Sequence, residues 1–394
     1  MTPPASTSVA DRISALSLHE LEAQAASRLP RGLFQFIAGG AEDGVALAAN
    51  RTAFDSIALL PRILCDVSVR SSSVEIFGAR YASPFAIAPM GAAGLAAYEG
   101  DIALARAAAG CQIPFVLSAA STVPMERVIR ESPGAWLQAY LPADPQRIEM
   151  LLARAASAGF RVLVVTADVP VPGNKEADIR NGFAMPPRPG LRMLRDFLMR
   201  PRWLSGTLAR TLLRNGLPHF ENMGASRGGP MMARSGSHRQ AGREALSWQD
   251  LAFVRERWRG HLVVKGVLRA DDARRAEDCG ADGLIVSNHG GRQLDGAIAP
   301  LAALPAVLAA ARGSVVMLDG GVRRGTDVLK ARAMGAQLAF VGRPMLYAAA
   351  IGAEAGVRHA IGLMSREVDR DLALLGCSRV EELDSSFLGR HQDG

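Results

Sequence analysis

The sequence predicts an α/β protein, a (β/α)₈ TIM barrel with an N-terminal helical cap and a long insertion after the fourth strand. Eight short apolar runs alternate with helical stretches along the chain. Strands that are apolar throughout are typical of a covered parallel sheet, and eight βα units match a barrel of about 250 residues. An open doubly wound sheet is the alternative, but it favours a glycine-rich turn after the first strand. That turn reads APMGAAG here, which favours the barrel.

The eight runs are predicted to be strands because they are short, rich in branched side chains and separated by helical stretches. Four of them follow a glycine that is predicted to end the preceding helix, at Gly110, Gly159, Gly280 and Gly335. The predicted strands are 85–89, 115–118, 136–140, 161–166, 261–265, 283–287, 314–318 and 338–342. This regular order predicts a single catalytic domain over residues 1–394, with the barrel at about 84–375.

Two segments lie outside the repeating units. Residues 18–29 and 32–37 are predicted to be short helices that cap the barrel. The stretch at about 172–247 is an insertion far longer than an ordinary loop, which predicts a functional or mobile segment. Within it, residues 188–243 contain eleven arginines, no lysine, and only Asp196 and Glu221 as acids. The net charge of +7 therefore comes from this one segment.

Composition excludes several classes of protein. With 49% hydrophobic and 21% charged residues in 394, the chain suits a globular fold rather than a disordered or fibrous one. No run reaches the ~18 apolar residues of a membrane span, and the first residues lack the features of a signal peptide, so a cytoplasmic protein is expected. The four cysteines stand far apart, which argues against a disulfide framework or a thiolate metal site. No metal is expected.

Polar residues close most of the predicted strands, and the active site of a barrel lies at those carboxyl ends. Buried polar groups cost free energy unless a partner satisfies them, so these side chains point to a ligand. Two strand ends together suggest a phosphate site, because glycines admit backbone N–H groups and arginines supply charge. These are LDGGVRRGTD at 318–327 and FVGRP at 340–344. For either of these two loops taken alone, the alternative is a tight turn whose arginines are solvated.

The run SNHGGRQLD at 287–295 is the most specific feature of the chain. Its imidazole, His289, can take a proton near neutral pH, and its guanidinium, Arg292, can hold a carboxylate with two hydrogen bonds. A base beside an anion clamp suits chemistry on a small hydroxy acid. Asp168 is predicted either to orient His289 or to cap a turn. Lys265 either stabilises developing negative charge or forms an ion pair.

These blocks, together with VVKGV at 263–267, GGAED at 39–43 and EADIRN at 176–181, resemble the FMN-dependent α-hydroxy acid oxidising family. That family includes glycolate oxidase, lactate dehydrogenase and mandelate dehydrogenase, and the resemblance runs from about Leu18 to about Leu388. It implies FMN as cofactor and oxidation of a 2-hydroxy acid, lactate-like or mandelate-like, to the 2-oxo acid. Electrons would pass to quinone or another acceptor. It also implies a homo-oligomer, a tetramer as in relatives.

The resemblance further implies roles for individual residues. His289 would be the catalytic base and Asp168 its partner. The residues implied to contact FMN or its phosphate are Ala88, Pro89, Ser118, Gln138, Thr166, Lys265, Ser287, Asp319, Gly321, Arg323, Gly342 and Arg343. The residues implied to face the substrate are Phe36, Tyr140, Lys175, His289 and Arg292.

Three positions depart from the family pattern where the substrate is expected. Phe36 stands where a tyrosine is usual, Lys175 where a second arginine is usual, and Met90 where a threonine is usual. A lysine keeps the charge of an arginine but loses its planar fork. Gly91 stands where members that react readily with oxygen often have alanine, which favours a dehydrogenase over an oxidase. These departures leave FMN binding intact and bear on which acid is used.

Residues 192–216 interleave arginine with leucine, methionine, phenylalanine and tryptophan. This composition is typical of a helix on an anionic membrane surface, and it resembles the membrane-docking segment of mandelate and lactate dehydrogenases. The predicted location is therefore the cytoplasm, at the inner face of the cell membrane. An exposed disordered loop is the alternative, whereas nucleic acid is disfavoured because aromatic residues are too few for stacking. Two rival functions are an FMN barrel acting on a larger substrate and a flavin-binding protein without turnover.

Overall fold

The computed structural model describes residues 13–183, 190–231 and 242–390. Eight parallel strands follow one another around a single sheet. They are Phe85–Ile87 (β1), Val116–Ser118 (β2), Trp136–Ala139 (β3), Val162–Thr166 (β4), His261–Val267 (β5), Gly283–Val286 (β6), Val315–Asp319 (β7) and Ala339–Val341 (β8). A parallel bridge between Ile87 and Phe115 joins the first strand to the second and closes the barrel. The predicted barrel is confirmed.

Helices separate the strands and cover the outer face of the sheet. In the described part of the chain the α-helices are Leu18–Arg28 (α1), Arg31–Ala38 (α2), Val45–Asp55 (α3), Ala93–Ala96 (α4), Gly100–Gly110 (α5), Met125–Glu131 (α6), Pro145–Ala158 (α7), Glu176–Arg180 (α8), Leu191–Leu198 (α9), Pro201–Trp203 (α10), Arg210–Asn215 (α11), Trp248–Arg257 (α12), Ala270–Asp278 (α13), Pro300–Ala310 (α14), Gly325–Ala333 (α15) and Arg343–Leu374 (α16). The last is kinked at Gly352 and Ala353, where the backbone leaves helical geometry. The predicted N-terminal cap corresponds to α1 and α2.

Three of the four glycines predicted to end helices do so in the left-handed conformation, with φ of 104° at Gly159, 81° at Gly280 and 112° at Gly335. Gly110 does not, since it is the last residue of α5 and the left-handed turn falls at Gln112, with φ of 53°. A Cβ at Gly110 would lie 2.2 Å from a guanidinium nitrogen of Arg358 on α16.

The amino end of the barrel is closed by a short hairpin that the sequence did not predict. Val74–Ile76 pairs antiparallel with Ala79–Tyr81, and Phe77 stands at the tip. The Phe77 ring stacks on His261 at 4.5 Å between centroids and lies 5.5 Å from Trp136. Both of these residues begin barrel strands. The hairpin therefore plugs this end and leaves the carboxyl end of the barrel open. A second antiparallel pair, Ile57–Leu59 with Leu388–Arg390, joins the segment after α3 to the last described residues.

Between residues 190 and 215 the insertion is helical and packs against the cap, whereas residues 216–231 are irregular. A single amphipathic helix does not form, because α9 ends before Pro201 and π-helical turns at Leu204–Ala209 follow α10. The Asp196 carboxylate accepts hydrogen bonds from the first backbone N–H groups of α2, and the buried Trp203 indole donates to Leu95 O at 2.8 Å. Within the described ranges, no helix is both long enough and apolar enough to cross a membrane.

Candidate active site

A cavity of about 1070 Å³ lies at the open end of the barrel, at the upper limit for small-molecule sites. The residues predicted for the site converge there from the carboxyl ends of all eight strands, from α2 and from the start of the insertion. Those that line it are Phe36, Ala88, Pro89, Ser118, Gln138, Tyr140, Thr166, Lys175, Lys265, His289, Arg292, Asp319, Gly321, Arg323, Gly342 and Arg343. Ser287 and Asp168 lie directly behind this wall, hydrogen-bonded to Lys265 and His289.

The loop after β6 presents His289 through three consecutive left-handed residues, with φ of 58° at His289, 65° at Gly290 and 70° at Gly291. His289 Nδ1 lies 2.9 Å from Asp168 Oδ1, while its backbone N–H donates to Ser287 Oγ. With Nδ1 held by the carboxylate, the tautomer that donates from Nδ1 leaves Nε2 as a proton acceptor.

Gly266 makes room for this pair. It sits at a bulge in β5, with φ of 107°, and a Cβ there would lie 2.6 Å from the Cβ of Asp168. Burial works to raise the pKa of Asp168, but the adjacent His289 ring and the Lys265 ammonium outweigh it and hold the pKa below its ordinary value. Asp168 therefore stays ionised.

Lys265 ends in a buried polar triad at the centre of the cavity floor. Its Nζ lies 2.6 Å from Asp319 Oδ2 and donates to Ser287 Oγ at 2.8 Å, and Ser287 donates to Asp319 at 2.9 Å. Burial acts to lower the pKa of Lys265, but the carboxylates of Asp319 and Asp168 reverse the effect and raise it. The lysine thus forms the ion pair expected as one alternative, and it also presents a fixed positive charge to the cavity.

Neighbouring strand ends carry a matched pair of polar side chains. Gln138 Oε1 accepts hydrogen bonds from Ser118 Oγ and from the backbone N–H of Ala119, both at 3.1 Å. Its Nε2 is buried and has no hydrogen-bond partner among the described residues. A buried amide donor without a partner is costly, so this group suits a ligand that offers a carbonyl oxygen or a ring nitrogen.

The two predicted phosphate loops meet at one end of the cavity. Arg343 is held by the carbonyls of Ile37, Gly39 and Gly290, at distances of 2.8 to 3.0 Å. Burial lowers its pKa to about 9, and the nearby charges of Arg292 and Arg323 add to this. Neither Arg323 nor Arg343 is solvent-exposed or within ion-pair distance of a described carboxylate, so they are not solvated turn residues. Both guanidiniums are suited to bind an anion such as a phosphate.

The backbone at the same end offers further donors. The helix α16 begins at Arg343 with no side-chain cap, and its first turn offers the Arg343 N–H to an anion, because Pro344 has no N–H and Met345 N–H donates to Gly342 O. Gly320 and Gly321 take φ of 123° and 88°, and a Cβ at Gly321 would lie 2.2 Å from a backbone oxygen of Asn50. This donor set, with Gln138 and Lys265, fits FMN: guanidiniums and N–H groups for the phosphate, and polar edges for the ring.

The opposite part of the cavity carries a second cationic group. Arg292 donates through Nη1 to the carbonyls of Phe36 and Gly39, both at 2.8 Å, which leaves Nη2 without a hydrogen bond to the described residues. The Arg292 guanidinium carbon lies 5.3 Å from the centre of the Phe36 ring. Lys175 is half-buried, and burial together with the Arg292 charge lowers its pKa to about 8. Burial raises the pKa of the nearby Asp178.

Several lining residues from the insertion were not predicted. Phe183, Phe220, Met223 and Met231 form an apolar wall, and Arg243 lies among the residues that line the cavity with Tyr140. The only sequence signal for Arg243 is its place after a glycine and just before the capping box of α12, at Ser247 and Asp250. That signal marks a structured turn, but it does not say that the turn faces the site.

Comparisons with known proteins agree with this geometry. Residues 25–390 match the family described as FMN-dependent dehydrogenase. The chain is 40% identical to the L-lactate oxidase of a Nostoc species, over 95% of this chain and 98% of that protein. It is 37% identical to the (S)-mandelate dehydrogenase of Pseudomonas putida, over 92% and 90% of the two chains.

A solved structure is also similar to this fold. It is described as monotopic membrane protein (S)-mandelate dehydrogenase, and it aligns with a TM-score of 0.87 and 35% identity over 96% of this chain and all of that one. Fold, site and sequence similarity agree, and the protein is an enzyme of the FMN-dependent dehydrogenase family with FMN as its cofactor.

Proposed function

We propose that the protein oxidises a 2-hydroxy acid to the 2-oxo acid, with the whole chain acting as one catalytic domain. One observation carries this proposal: His289, hydrogen-bonded to the Asp168 carboxylate, lines the same cavity as Arg292, whose Nη2 has no hydrogen bond to the described residues and can meet a carboxylate. A base and an anion clamp in one water-accessible cavity suit a substrate that bears a hydroxyl beside a carboxylate. The names of the relatives, lactate oxidase and mandelate dehydrogenase, support the same substrate class.

The bound FMN would supply the acceptor for the two electrons that leave the substrate. Its phosphate would be held by Arg323, Arg343 and the N–H groups near Gly321 and Gly342. The residues proposed to contact the rest of the cofactor are Ala88, Pro89, Ser118, Gln138, Thr166, Lys265, Ser287 and Asp319. Among them, the fixed charge of Lys265 would stabilise negative charge that develops in the site.

Proton transfer falls to His289 in this proposal. Its Nε2 takes one proton from the substrate, while Asp168 holds Nδ1–H and stabilises the imidazolium that forms. Arg292 orients the substrate carboxylate, and the Lys175 ammonium provides a second positive charge that attracts it. Tyr140 offers its hydroxyl to the substrate. Burial and the Asp168 charge raise the pKa of Tyr140, so that hydroxyl stays a hydrogen-bond donor.

The experiment is an anaerobic screen of 2-hydroxy acids, both enantiomers, from lactate to aryl acids, against the FMN-loaded protein. At least one acid is expected to bleach the flavin absorbance and to yield the 2-oxo acid in a 1:1 ratio with FMN. If no 2-hydroxy acid bleaches a flavin that dithionite reduces normally, the protein is a flavin-binding protein without turnover, or its substrate lies outside this class. A response to larger hydroxylated compounds alone would favour the second case.

We propose an electron acceptor other than oxygen, such as a quinone. The support is Gly91, which lines the cavity and stands where oxygen-reactive members of the resembled family often carry alanine. Stopped-flow mixing of the reduced enzyme with a short-chain quinone and with oxygen compares the two directly. Faster reoxidation by oxygen would overturn this part of the proposal.

We also propose peripheral binding to anionic lipid at the inner face of the membrane. The insertion exposes leucines beside its arginines: Leu191 is 88% exposed and Leu213 86%. Exposed apolar groups combined with cationic side chains favour an anionic lipid surface. The similar (S)-mandelate dehydrogenase is described as a monotopic membrane protein, which supports the same location. A homotetramer, as the resemblance implies, stays a prediction that light scattering can measure.

A further inference from the structure

In the described part of the chain, Arg243 is a cation inside the cavity that has an aromatic neighbour, Tyr140, but no counter-ion. Its residue is 6% exposed, and it makes no hydrogen bond or ion pair with any residue that the structure describes. Its Nε is completely shielded from solvent, and burial lowers the pKa of the guanidinium. The Arg243 guanidinium carbon lies 4.6 Å from the centre of the Tyr140 ring. A buried guanidinium without a counter-charge is unfavourable, which points to an anionic ligand.

The local sequence holds Arg243 in this position. Gly242 takes φ of 85°, and a Cβ there would lie 2.5 Å from the Cβ of Ala143, so the turn requires glycine. A 3₁₀ turn, Arg243–Ala245, follows at once, and the capping box of α12 comes directly after it. The backbone of Arg243 is thus held beside the loop that follows β3. The adjacent Glu244 also lines the cavity, but it is exposed and forms no ion pair with Arg243.

Arg243 is separate from the cations that face the substrate's α-carboxylate in the proposed function. Lys175, Arg292 and Asp178 influence one another's pKa values, whereas the charged or titratable group that acts on Arg243 is Tyr140. The charges of both Arg243 and Arg292 act to lower the pKa of Tyr140. Both guanidiniums line the cavity, but each lies beside a different ring, Arg243 beside Tyr140 and Arg292 beside Phe36.

We propose that Arg243 binds a second carboxylate at the far end of the substrate, so that the preferred substrates are 2-hydroxydicarboxylic acids. This inference rests on the proposed oxidation of 2-hydroxy acids and narrows it. One planar guanidinium, on which no other described cation acts, matches a single carboxylate better than a phosphate dianion. The methionines of the same cavity, Met90, Met223 and Met231, provide an adaptable apolar wall for the methylene groups between the two carboxylates.

The test compares 2-hydroxydicarboxylic acids of four, five and six carbons with the same compounds carrying an amide at the distal carboxyl. The FMN-loaded proteins are the unaltered chain, Arg243→Gln, Arg243→Lys and, as a matched control, Arg147→Gln, an exposed arginine outside the cavity. Two quantities are measured: kcat/KM for flavin reduction, and the dissociation constant of the unreactive dicarboxylate that lacks the hydroxyl, from the change in oxidised flavin absorbance.

The unaltered protein is expected to prefer at least one diacid over its amide by about tenfold to a hundredfold, the effect of one hydrogen-bonded charge pair. Arg243→Gln should remove that preference and change the amide by less than about threefold. Arg243→Lys should keep part of it, and Arg147→Gln all of it. FMN content of each variant reports on folding.

Equal losses for diacid and amide in Arg243→Gln would overturn the inference, because Arg243 would then act only by holding Tyr140. The absence of any preference in the unaltered protein would overturn it as well. Failure of the proposed function has a different signature, since no hydroxy acid would reduce the flavin. The unreactive dicarboxylate and its monoamide would still report on Arg243 in that case.

Discussion

His289 and Asp168 are 121 positions apart in the chain, and the fold brings His289 Nδ1 to 2.9 Å from Asp168 Oδ1. The contact depends on two glycine-containing turns that have no room for a side chain. One is the bulge at Gly266, and the other is the loop at Gly290 and Gly291. Because Asp168 lies behind the cavity wall whereas His289 lines the cavity, we expect substitutions at the two positions to have different effects.

Replacing His289 removes the proposed base. His289→Ala is expected to retain FMN, because no contact proposed for the phosphate involves the imidazole. The rate of flavin reduction should fall by about 10²-fold to 10⁴-fold, the usual contribution of general-base catalysis. Rapid-mixing absorbance under anaerobic conditions measures it. The control His19→Ala alters an exposed histidine of α1 and should have no effect. A near-normal rate in His289→Ala would refute the assignment.

Asp168 is a positioning residue in this account, and its loss should affect turnover more than binding. Asp168→Asn keeps the shape but cannot hold Nδ1–H with a charge, so the rate should fall by about a hundredfold or more. The dissociation constant of an unreactive 2-oxo acid should change by less than about threefold. Asp43→Asn, on an exposed loop, is the matched control. Equal losses in binding and rate would instead indicate a collapsed site.

Most of the barrel and its lining could be predicted because parallel strands leave a direct mark on sequence. Their runs are apolar on both faces, and the polar residues that end them, such as Gln138 and Lys265, must lie at one end of the barrel. No comparable rule says where a loop returns. Phe77 reaches the barrel floor only through an unusual left-handed turn, with φ of 52°. Arg243 lines the cavity because the end of the insertion, at Gly242, returns to the loop after β3 and lies close to Ala143.

The packing of the insertion likewise could not be predicted from its sequence. Its arginine and leucine pattern predicted one helix facing lipid, but the rings of Trp203 and Phe197 are tilted against each other, with centroids 4.8 Å apart, and pack inward. Composition alone cannot separate the apolar residues that meet the cap from those that stay exposed. That separation requires the positions of Asp196 and Trp203 against α2 and the segment around Leu95.

The protonation state of Lys175 is expected to make substrate binding depend on pH. Its pKa is lowered to about 8, so the side chain is a cation below that pH and becomes neutral above it. The affinity for a carboxylate substrate should therefore be highest below about pH 8 and fall as the pH rises to 10. Lys175→Arg stays charged in this range and should abolish the fall. Lys330→Arg, outside the cavity, is the control. The dissociation constant of an unreactive 2-oxo acid gives the profile, and an unchanged fall in Lys175→Arg would contradict it.

The exposed leucines of the insertion predict lipid binding that salt can reverse. The unaltered protein should pellet with anionic vesicles at low salt and be released at about 1 M, where charge interactions are screened within about 3 Å. The double variant Leu191→Glu, Leu213→Glu should lose pelleting while keeping FMN. Leu64→Glu alters a fully exposed leucine outside the insertion and should pellet normally. Failure of the unaltered protein to pellet at low salt would exclude the membrane proposal.

The last prediction concerns the altered clamp around Arg292. A hydroxyl at Phe36 and a guanidinium at Lys175 would add donors beside the position proposed for the α-carboxylate, and a hydrogen bond to a charged group contributes about 1.5 to 3 kcal/mol. Phe36→Tyr with Lys175→Arg should therefore raise kcat/KM for lactate or glycolate by about tenfold or more.

The gain should be smaller for a bulky aryl hydroxy acid, because the apolar wall of Met90 and its neighbours already contributes to binding it. The single variants separate the two effects, and Phe34→Tyr, whose ring stacks on Tyr347 at 5.7 Å, controls for an added hydroxyl in α2. If the double variant gains nothing with any small acid, Phe36 and Lys175 do not face the α-carboxylate. The carboxylate would then be held by Arg292 alone, and the weaker clamp would have to be offset by contacts at the far end of a longer substrate.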